Sequence, residues 1–367
     1  MQRIAQRPNA TLLLADGTVF HGKAIGKKGT TGGELCFNTG MTGYQEIYTD
    51  PSYFGQIVIH TMAHIGNYGV VKNEIESDSV KISGMICDGF SSIYSRSGAD
   101  DNLDNYLAEN GIVGIAEIDT RKLVKYIRHK GVMNAVISSE IFQVSDLQNE
   151  LALVPDMESL ELASKVMTSK PYLVGPENGE RVVVLDYGIK QNIVNQLVMQ
   201  DLHCLVMPGN ADVADILAFE PDAFFVSNGP GDPSGMDYAV EIIKQLLETK
   251  KPLFGICLGH QLLARAYGLS TYKMKNGHRG LNHPVKNLIS GHCETTSQNH
   301  GFAVDHADVK NHSELELTHI NLNDNSVEGI RTKNGLAFSV QYHPESNPGP
   351  HDSRYLFRQF KEMISAQ

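Results

Sequence analysis

Residues 251–264 read KPLFGICLGHQLLA. A short apolar run ends at Cys257, which stands between Gly255 and Gly259, and an amphipathic segment begins immediately after it. This is the pattern of a buried strand, a sharp turn bearing a nucleophile, and a helix. The two glycines allow backbones to pass close to a strained turn. The cysteine is expected at the helix N-terminus, where the backbone dipole and unpaired N–H groups favour a thiolate. The stretch therefore predicts covalent chemistry by sulfur and its place in the fold.

The flanking sequence repeats the strand–helix alternation. Residues 181–187, 203–208, 223–228 and 252–257 read as buried strands. The intervening segments 189–200, 212–219 and 238–249, with 260–268 after the last strand, read as helices. Such alternation predicts an α/β domain over 181–367, with a doubly wound, mostly parallel sheet and helices on both faces. Ligands in such sheets bind at the carboxyl ends of strands. Cys257 lies at one such end, and the loop NGPGDP (228–233) lies at the end of the preceding strand.

The first part of the chain has a different character. TLLLADGTVFHG (11–22) reads as a hairpin about Asp16-Gly17, and GQIVIHTM (55–62) reads as a strand. Asp119-Thr120 are positioned to cap a helix over 121–129 that Gly131 ends. A separate β-rich α/β domain is expected over 1–150. Residues 151–180, with their polar and Pro/Gly-bearing stretches, are expected to connect the two.

The 367 residues suffice for about two or three domains. A net charge of −11 argues against a nucleic-acid surface. Five scattered cysteines with no CxxC pair disfavour a zinc ribbon or disulfide framework, and a reducing cytoplasm is the expected setting. The TLLL run is too short for a signal peptide, and no apolar stretch reaches the roughly 20 residues that span a membrane. No metal site is expected, since His292, Cys293 and His300 lack ligand spacing. Nor is a phosphate-binding loop: GKKGTTGG (26–33) lacks the ending of the P-loop pattern.

A cysteine nucleophile needs a base, because a free thiol has a pKa of about 8.5. SVQYHPES (339–346) supplies one. In an extended segment His343 and Glu345 point to the same side of the chain, and Pro344 helps to hold that geometry. Glu345 is expected to accept from Nδ1 of His343, leaving Nε2 for Cys257, which is triad logic with sulfur in place of oxygen. Acyl transfer also needs an oxyanion hole, expected from the backbone N–H groups of Leu258 and Gly229.

With FVSNGPGDP (225–233), FGICLGHQLLA (254–264) and VQYHPE (340–345) in this order, the second domain resembles class I glutamine amidotransferases. The resemblance extends to FNTGMTGYQEIYTDPSYFGQIV (37–58), HIGNYGV (64–70), GIAEIDTRKLVKYIRHKG (114–131), DYGIKQNI (186–193), SQNHGFAVD (297–305) and HPESNPGPHDSRYLF (343–357). Over nearly the whole chain, this combination is similar to the glutamine-hydrolysing small-subunit family of carbamoyl-phosphate synthetases. The first domain carries that narrower resemblance.

The resemblance implies hydrolysis of L-glutamine to glutamate and ammonia, with Cys257 as nucleophile, His343 as base and Glu345 as orienting acid. It implies glutamine contacts from Ser52, Gly229, Gly231, Leu258, Gln261, Asn299, Gly301 and Phe302. It implies a large-subunit partner in a heterodimer, with further assembly left open. That partner receives ammonia through a tunnel and makes carbamoyl phosphate from bicarbonate and ATP for arginine and pyrimidine synthesis. No cofactor is then expected on this chain; ATP and Mg belong to the large subunit. Three other readings stay open: another class I amidotransferase subunit, a stand-alone cysteine hydrolase, and a non-catalytic interaction subunit.

Overall fold

The computed structural model describes residues 7–367, which form two compact units, 7–157 and 158–367. In the first unit the strands are β1 (Asn9–Leu14), β2 (Val19–Gly26), β3 (Thr30–Asn38), β4 (Gln56–His60), β5 (His64–Ile65), β6 (Gly84–Ile86), β7 (Gly89–Phe90), β8 (Val113–Ala116) and β9 (Asn134–Ser138). The helices are α1 (Tyr44–Thr49), α2 (Leu103–Glu109), α3 (Thr120–Lys130) and α4 (Val144–Leu151).

Seven of these strands close a barrel in the order β1-β2-β8-β6-β4-β3-β9, while β5 and β7 pair separately. Closure leaves the barrel no free sheet edge. Side chains from every barrel strand meet in one buried cluster, including Leu12, Ala24, Leu35, Ile57, Ile86, Ile115 and Ile137. Their neighbours Cys36, Val58 and Met85 turn the other way and pack with Tyr44, Tyr48 and Leu107 of α1 and α2, as strand alternation requires. The hairpin turns at Gly17, whose φ of 87° suits glycine. Asp119 caps α3 by accepting from the Lys122 N–H at 2.8 Å, and Leu123 and Ile127, one turn apart, bury its inner face.

The second unit contains β10 (Tyr172–Val174), β11 (Glu180–Asp186), β12 (Leu202–Pro208), β13 (Ala223–Val226), β14 (Leu253–Ile256), β15 (Thr271–Asn287), β16 (Cys293–Val304), β17 (Leu315–Asn321), β18 (Val327–Thr332) and β19 (Ala337–Val340). Its helices are α5 (Gln191–Val198), α6 (Val213–Ala218), α7 (Asp237–Glu248), α8 (Leu258–Ala266), α9 (His306–Asn311) and α10 (Tyr355–Ser365). The strands form one 10-stranded sheet, ordered β10-β12-β11-β13-β14-β19-β18-β17-β15-β16. Val182 and Val184 face one side and pack with α5 and α10 through Ile193, Leu197, Phe357 and Phe360. Val183 and Leu185 face the other and pack with α6, α7 and α8 through Ile216, Ile243 and Leu262. The sheet is thus covered on both faces, as a parallel sheet requires.

The expected "mostly parallel" sheet needs correction. Only the block β12-β11-β13-β14-β19 is parallel. β10 and the run β16-β15-β17-β18 pair antiparallel, and β18 joins β19 antiparallel. The connections at 288–292, 322–326 and 333–336 are too short for crossover helices, which parallel neighbours need.

The stretch 151–180 contains the division between the units. Beyond that division it packs on the second unit: Ser159 N–H donates to Asp232 at 2.8 Å, Ala163 enters the core, and β10 extends the sheet edge. Among the described residues, no helix is long and apolar enough to cross a membrane.

Candidate active site

Three parallel neighbours end together. β13 stops at Val226, β14 at Ile256 and β19 at Val340, with Val226 opposite Gly255 and Ile256 opposite Val340. The loop 228–233, Cys257 and the segment Gln341–Glu345 therefore emerge side by side, at the end of the sheet where ligands bind in this architecture.

Cys257 is the residue on which α8 begins, at φ 54° and ψ −102°. A side chain at positive φ is strained, and such strain concentrates at functional sites. The elbow is held open by its glycines. A Cβ on Gly255 would lie 2.7 Å from the Gly259 carbonyl oxygen, and one on Gly259 would lie 2.2 Å from that of Val226. The Cys257 N–H is tied to the Val340 carbonyl at 2.9 Å, and its buried Sγ faces the Asn299 carbonyl at 3.6 Å. Gln341 Nε2 lies 3.7 Å from the same sulfur.

His343 and Glu345 are both buried, and Nδ1 of His343 donates to Oε1 of Glu345 at 2.8 Å. Nε2 of His343 forms no aligned hydrogen bond, yet Cys257 acts electrostatically on the ring. Burial opposes a charged imidazole there, but Glu345 and Cys257 outweigh it and raise His343 to about 10. Burial likewise opposes the Glu345 carboxylate, but Lys190 and His343 outweigh it and lower it to about 2.

The Lys190 ammonium, itself 3 % exposed, sits 2.9 Å from Oε1 of Glu345 and 2.6 Å from the Ser346 carbonyl. Asn192 Nδ2 donates to the Glu345 carbonyl at 2.7 Å. Lys190 follows β11, the parallel neighbour of β13. It lies within DYGIKQNI (186–193), and no role was expected for it from the sequence. The signal was available: a lysine just beyond the carboxyl end of a strand in the same parallel block, one strand removed from the reactive one, is in reach of the same crevice.

The other expected site residues of the second unit cluster here. A Cβ on Gly229 would lie 2.8 Å from Leu258 Cδ2, so the two expected oxyanion donors are neighbours. Gly231 has a φ of 96° and packs against residues 160–162. Gln261 Nε2 donates to the Phe302 carbonyl at 2.9 Å and to Gln341 Oε1 at 3.0 Å. Asn299, Gly301 and Phe302 lie on β16, paired with β15. Ser52 belongs to the first unit, in a one-turn 3-10 helix capped by Asp50, which accepts the Ser52 N–H at 2.9 Å.

His278, His300 and Glu328 bring possible ligand atoms within 4.8 Å of one another. All three are engaged by protein groups: His278 by Asp324, His300 by Gln298 and Phe302, and Glu328 by Asn321 and Gln298. Of the cysteine and histidine considered with His300 in sequence, Cys293 is exposed.

The elbow, the His–Glu pair and the covered sheet define an amidotransferase-type domain. Residues 183–363 match the family model for glutamine amidotransferase class-I, and residues 12–137 match that for the carbamoyl-phosphate synthase small chain, CPSase domain. The chain is 49% identical over 358 residues to the carbamoyl phosphate synthase small chain of Chlorobaculum tepidum, covering 97% of each. It is 46% identical over 374 residues to that of a Synechococcus species, covering 98% of this chain and 95% of the relative. It is 47% identical over 369 residues to that of Syntrophotalea carbinolica, covering 97% of each. The chain belongs to the carbamoyl phosphate synthase small chain family.

Proposed function

We propose that this chain hydrolyses L-glutamine through a thioester on Cys257 and supplies the ammonia to a large-chain partner. The reading rests on Cys257 at its strained elbow, one strand away from the His343–Glu345 pair. The Cys257 thiolate attacks the side-chain amide carbon, and the N–H groups of Leu258 and Gly229 hold the oxyanion. His343 gives its Nε2 proton to the departing nitrogen, so the C–N bond breaks and ammonia leaves. It then takes a proton from water, whose oxygen attacks the thioester; the C–S bond breaks and glutamate is released. Glu345 orients the imidazole and balances its charge.

Gly231, Gln261, Asn299, Gly301 and Phe302 hold glutamine in this reading, and Ser52 keeps the contact that the resemblance gives it. The partner makes carbamoyl phosphate for arginine and pyrimidine synthesis. It binds ATP and Mg, and this chain binds no cofactor. The protein works in the cytoplasm.

The test is Cys257→Ser in the complex with the large chain. Glutamine-dependent carbamoyl phosphate synthesis should be lost while synthesis from free ammonia persists. Unchanged glutamine hydrolysis in that variant would overturn the proposal.

A further inference from the structure

A chain of buried polar groups runs beneath the site. Glu328 of β18, fully buried, receives Asn321 Nδ2 at 2.8 Å on Oε1 and Gln298 Nε2 at 2.9 Å on Oε2. Gln298 Oε1 lies 2.8 Å from His300 Nε2, and His300 Nδ1 lies 2.8 Å from the Phe302 carbonyl. That carbonyl also receives Gln261 Nε2, which reaches Gln341 and, through it, the Cys257 sulfur.

Donor and acceptor accounting fixes the protons. Thr296 donates its hydroxyl hydrogen to the His283 carbonyl at 2.9 Å, so towards Gln298, 3.2 Å away, its oxygen only accepts. The NH2 group of Gln298 must therefore face Thr296 and Glu328, and its oxygen must face His300. A carbonyl oxygen cannot donate. Both ring nitrogens of His300 thus point at acceptors, and both need a proton.

We infer that His300 is held as an imidazolium by the Glu328 carboxylate acting through Gln298, and that Glu328 is thereby a positioning residue for the glutamine-holding segment Asn299–Phe302. The inference rests on the glutamine site proposed above. The surroundings of His300 make the counter-charge necessary. Burial, with His278, Arg279 and a protonated His283 on β15, pushes His300 well below its ordinary value, and the Phe302 carbonyl alone does not offset this, so the charged ring needs the Glu328 carboxylate. His278 gives Glu328 only part of a cation. Its Nε2 donates to Asp324 at 2.9 Å, while Nδ1 lies 3.4 Å from Glu328 Oε1. An amide polarised between an imidazolium and a carboxylate strengthens both bonds it makes. Without the second proton the ring keeps a single N–H, and one buried acceptor faces another either at Gln298 or at the Phe302 carbonyl.

Glu328→Gln removes the charge while its side-chain oxygen still accepts from Gln298; its NH2 would oppose the Asn321 Nδ2 donor, so the substitution is made in, and compared with, an Asn321→Ala background. In the full complex at mildly alkaline pH, the variant's KM for glutamine should rise about tenfold over that background, the worth of one buried hydrogen bond, with little change in kcat. The ratio of variant to background KM should fall towards one on acidification, as His300 protonates without its counter-charge. A KM ratio that stays constant with pH would show a merely structural role and overturn the inference. Independently, 15N-histidine spectra of the native full chain, with His300 assigned by its loss in His300→Gln, should show both ring nitrogens protonated at neutral pH. A single protonated nitrogen would overturn the inference even if Glu328→Gln does not fold. Absence of glutamine hydrolysis in the native complex would sink the functional reading, while the spectra would still decide this one.

Discussion

The Lys190 ammonium lies 2.9 Å from Oε1 of Glu345, the same oxygen that accepts Nδ1 of His343. Two cations converge on one buried oxygen, and the carboxylate that orients the base is itself held from a different strand end. Breaking a buried pair by removing one partner is costly, because the other charge stays buried. Lys190→Met removes the ammonium from Glu345 and from the Ser346 carbonyl together. Glutaminase kcat in the variant should fall by about 10- to 100-fold, the cost of losing a buried charged hydrogen bond. Steady-state glutamine hydrolysis measures this, with ammonia-dependent synthesis as the control that should be spared.

The His343–Glu345 pair should write itself into the pH dependence of stability. Glu345 is lowered from 4.5 to about 2, so its contribution is full above the unfolded value and is lost as pH falls through the folded one. His343 is raised from 6.5 to about 10, so its contribution is full below the unfolded value and is lost as pH rises through the folded one. The two windows overlap between 4.5 and 6.5. The stability difference between the native chain and a His343→Gln/Glu345→Gln variant should be largest across that interval and shrink on either side. Urea unfolding at a series of pH values reads it directly, and a difference that grew in alkali would contradict the stated directions.

The parallel block and its reactive end were legible because each strand there is a short apolar run followed by a helix with its own period. Val182–Leu185 bury alternately on both faces, which is why they read as a continuous apolar stretch. The antiparallel half was not legible. β15 carries Lys273, Lys275, Asn276, Gly277, His278 and Arg279 in succession, with register shifts between Lys273 and His278 and between Gly280 and His283. Bulges break the period of two on which strand reading depends. The triad pattern survived because His343 and Glu345 are two residues apart. Lys190 stands 155 residues from Glu345, and only the strand order brings them together.

The strain at Cys257 predicts an inverted glycine effect. Inside a helix Ala is preferred to Gly, which loses more backbone entropy on folding, whereas at an N-cap Gly already ranks above Ala. At φ 54° and ψ −102° the alanine Cβ keeps the steric conflict, and glycine removes it. Cys257→Gly should therefore be more stable than Cys257→Ala by about 1 kcal/mol, although both lack the nucleophile. Comparing the two variants cancels the lost sulfur and isolates the backbone. Urea midpoints with equal m-values provide the measurement, and a more stable alanine variant would mean that the elbow is unstrained.

Gly229 tests the oxyanion geometry without touching the triad. A Cβ there would sit 2.2 Å from the Tyr187 carbonyl oxygen and 2.8 Å from Leu258 Cδ2. The Leu258 side chain can turn aside, but the Tyr187 backbone carbonyl cannot, so residue 229 itself must shift and carry its N–H away from that of Leu258. Gly229→Ala should lower kcat for glutamine hydrolysis by about 100-fold, the usual effect of losing one oxyanion donor. The His343–Glu345 pair and the Cys257 elbow are built from other strand ends, so alkylation of Cys257 by a small electrophile should proceed at nearly the native rate. The two rates together locate the defect. Loss of both would place it in the nucleophile, whereas loss of turnover with retained alkylation places it where the negative charge develops.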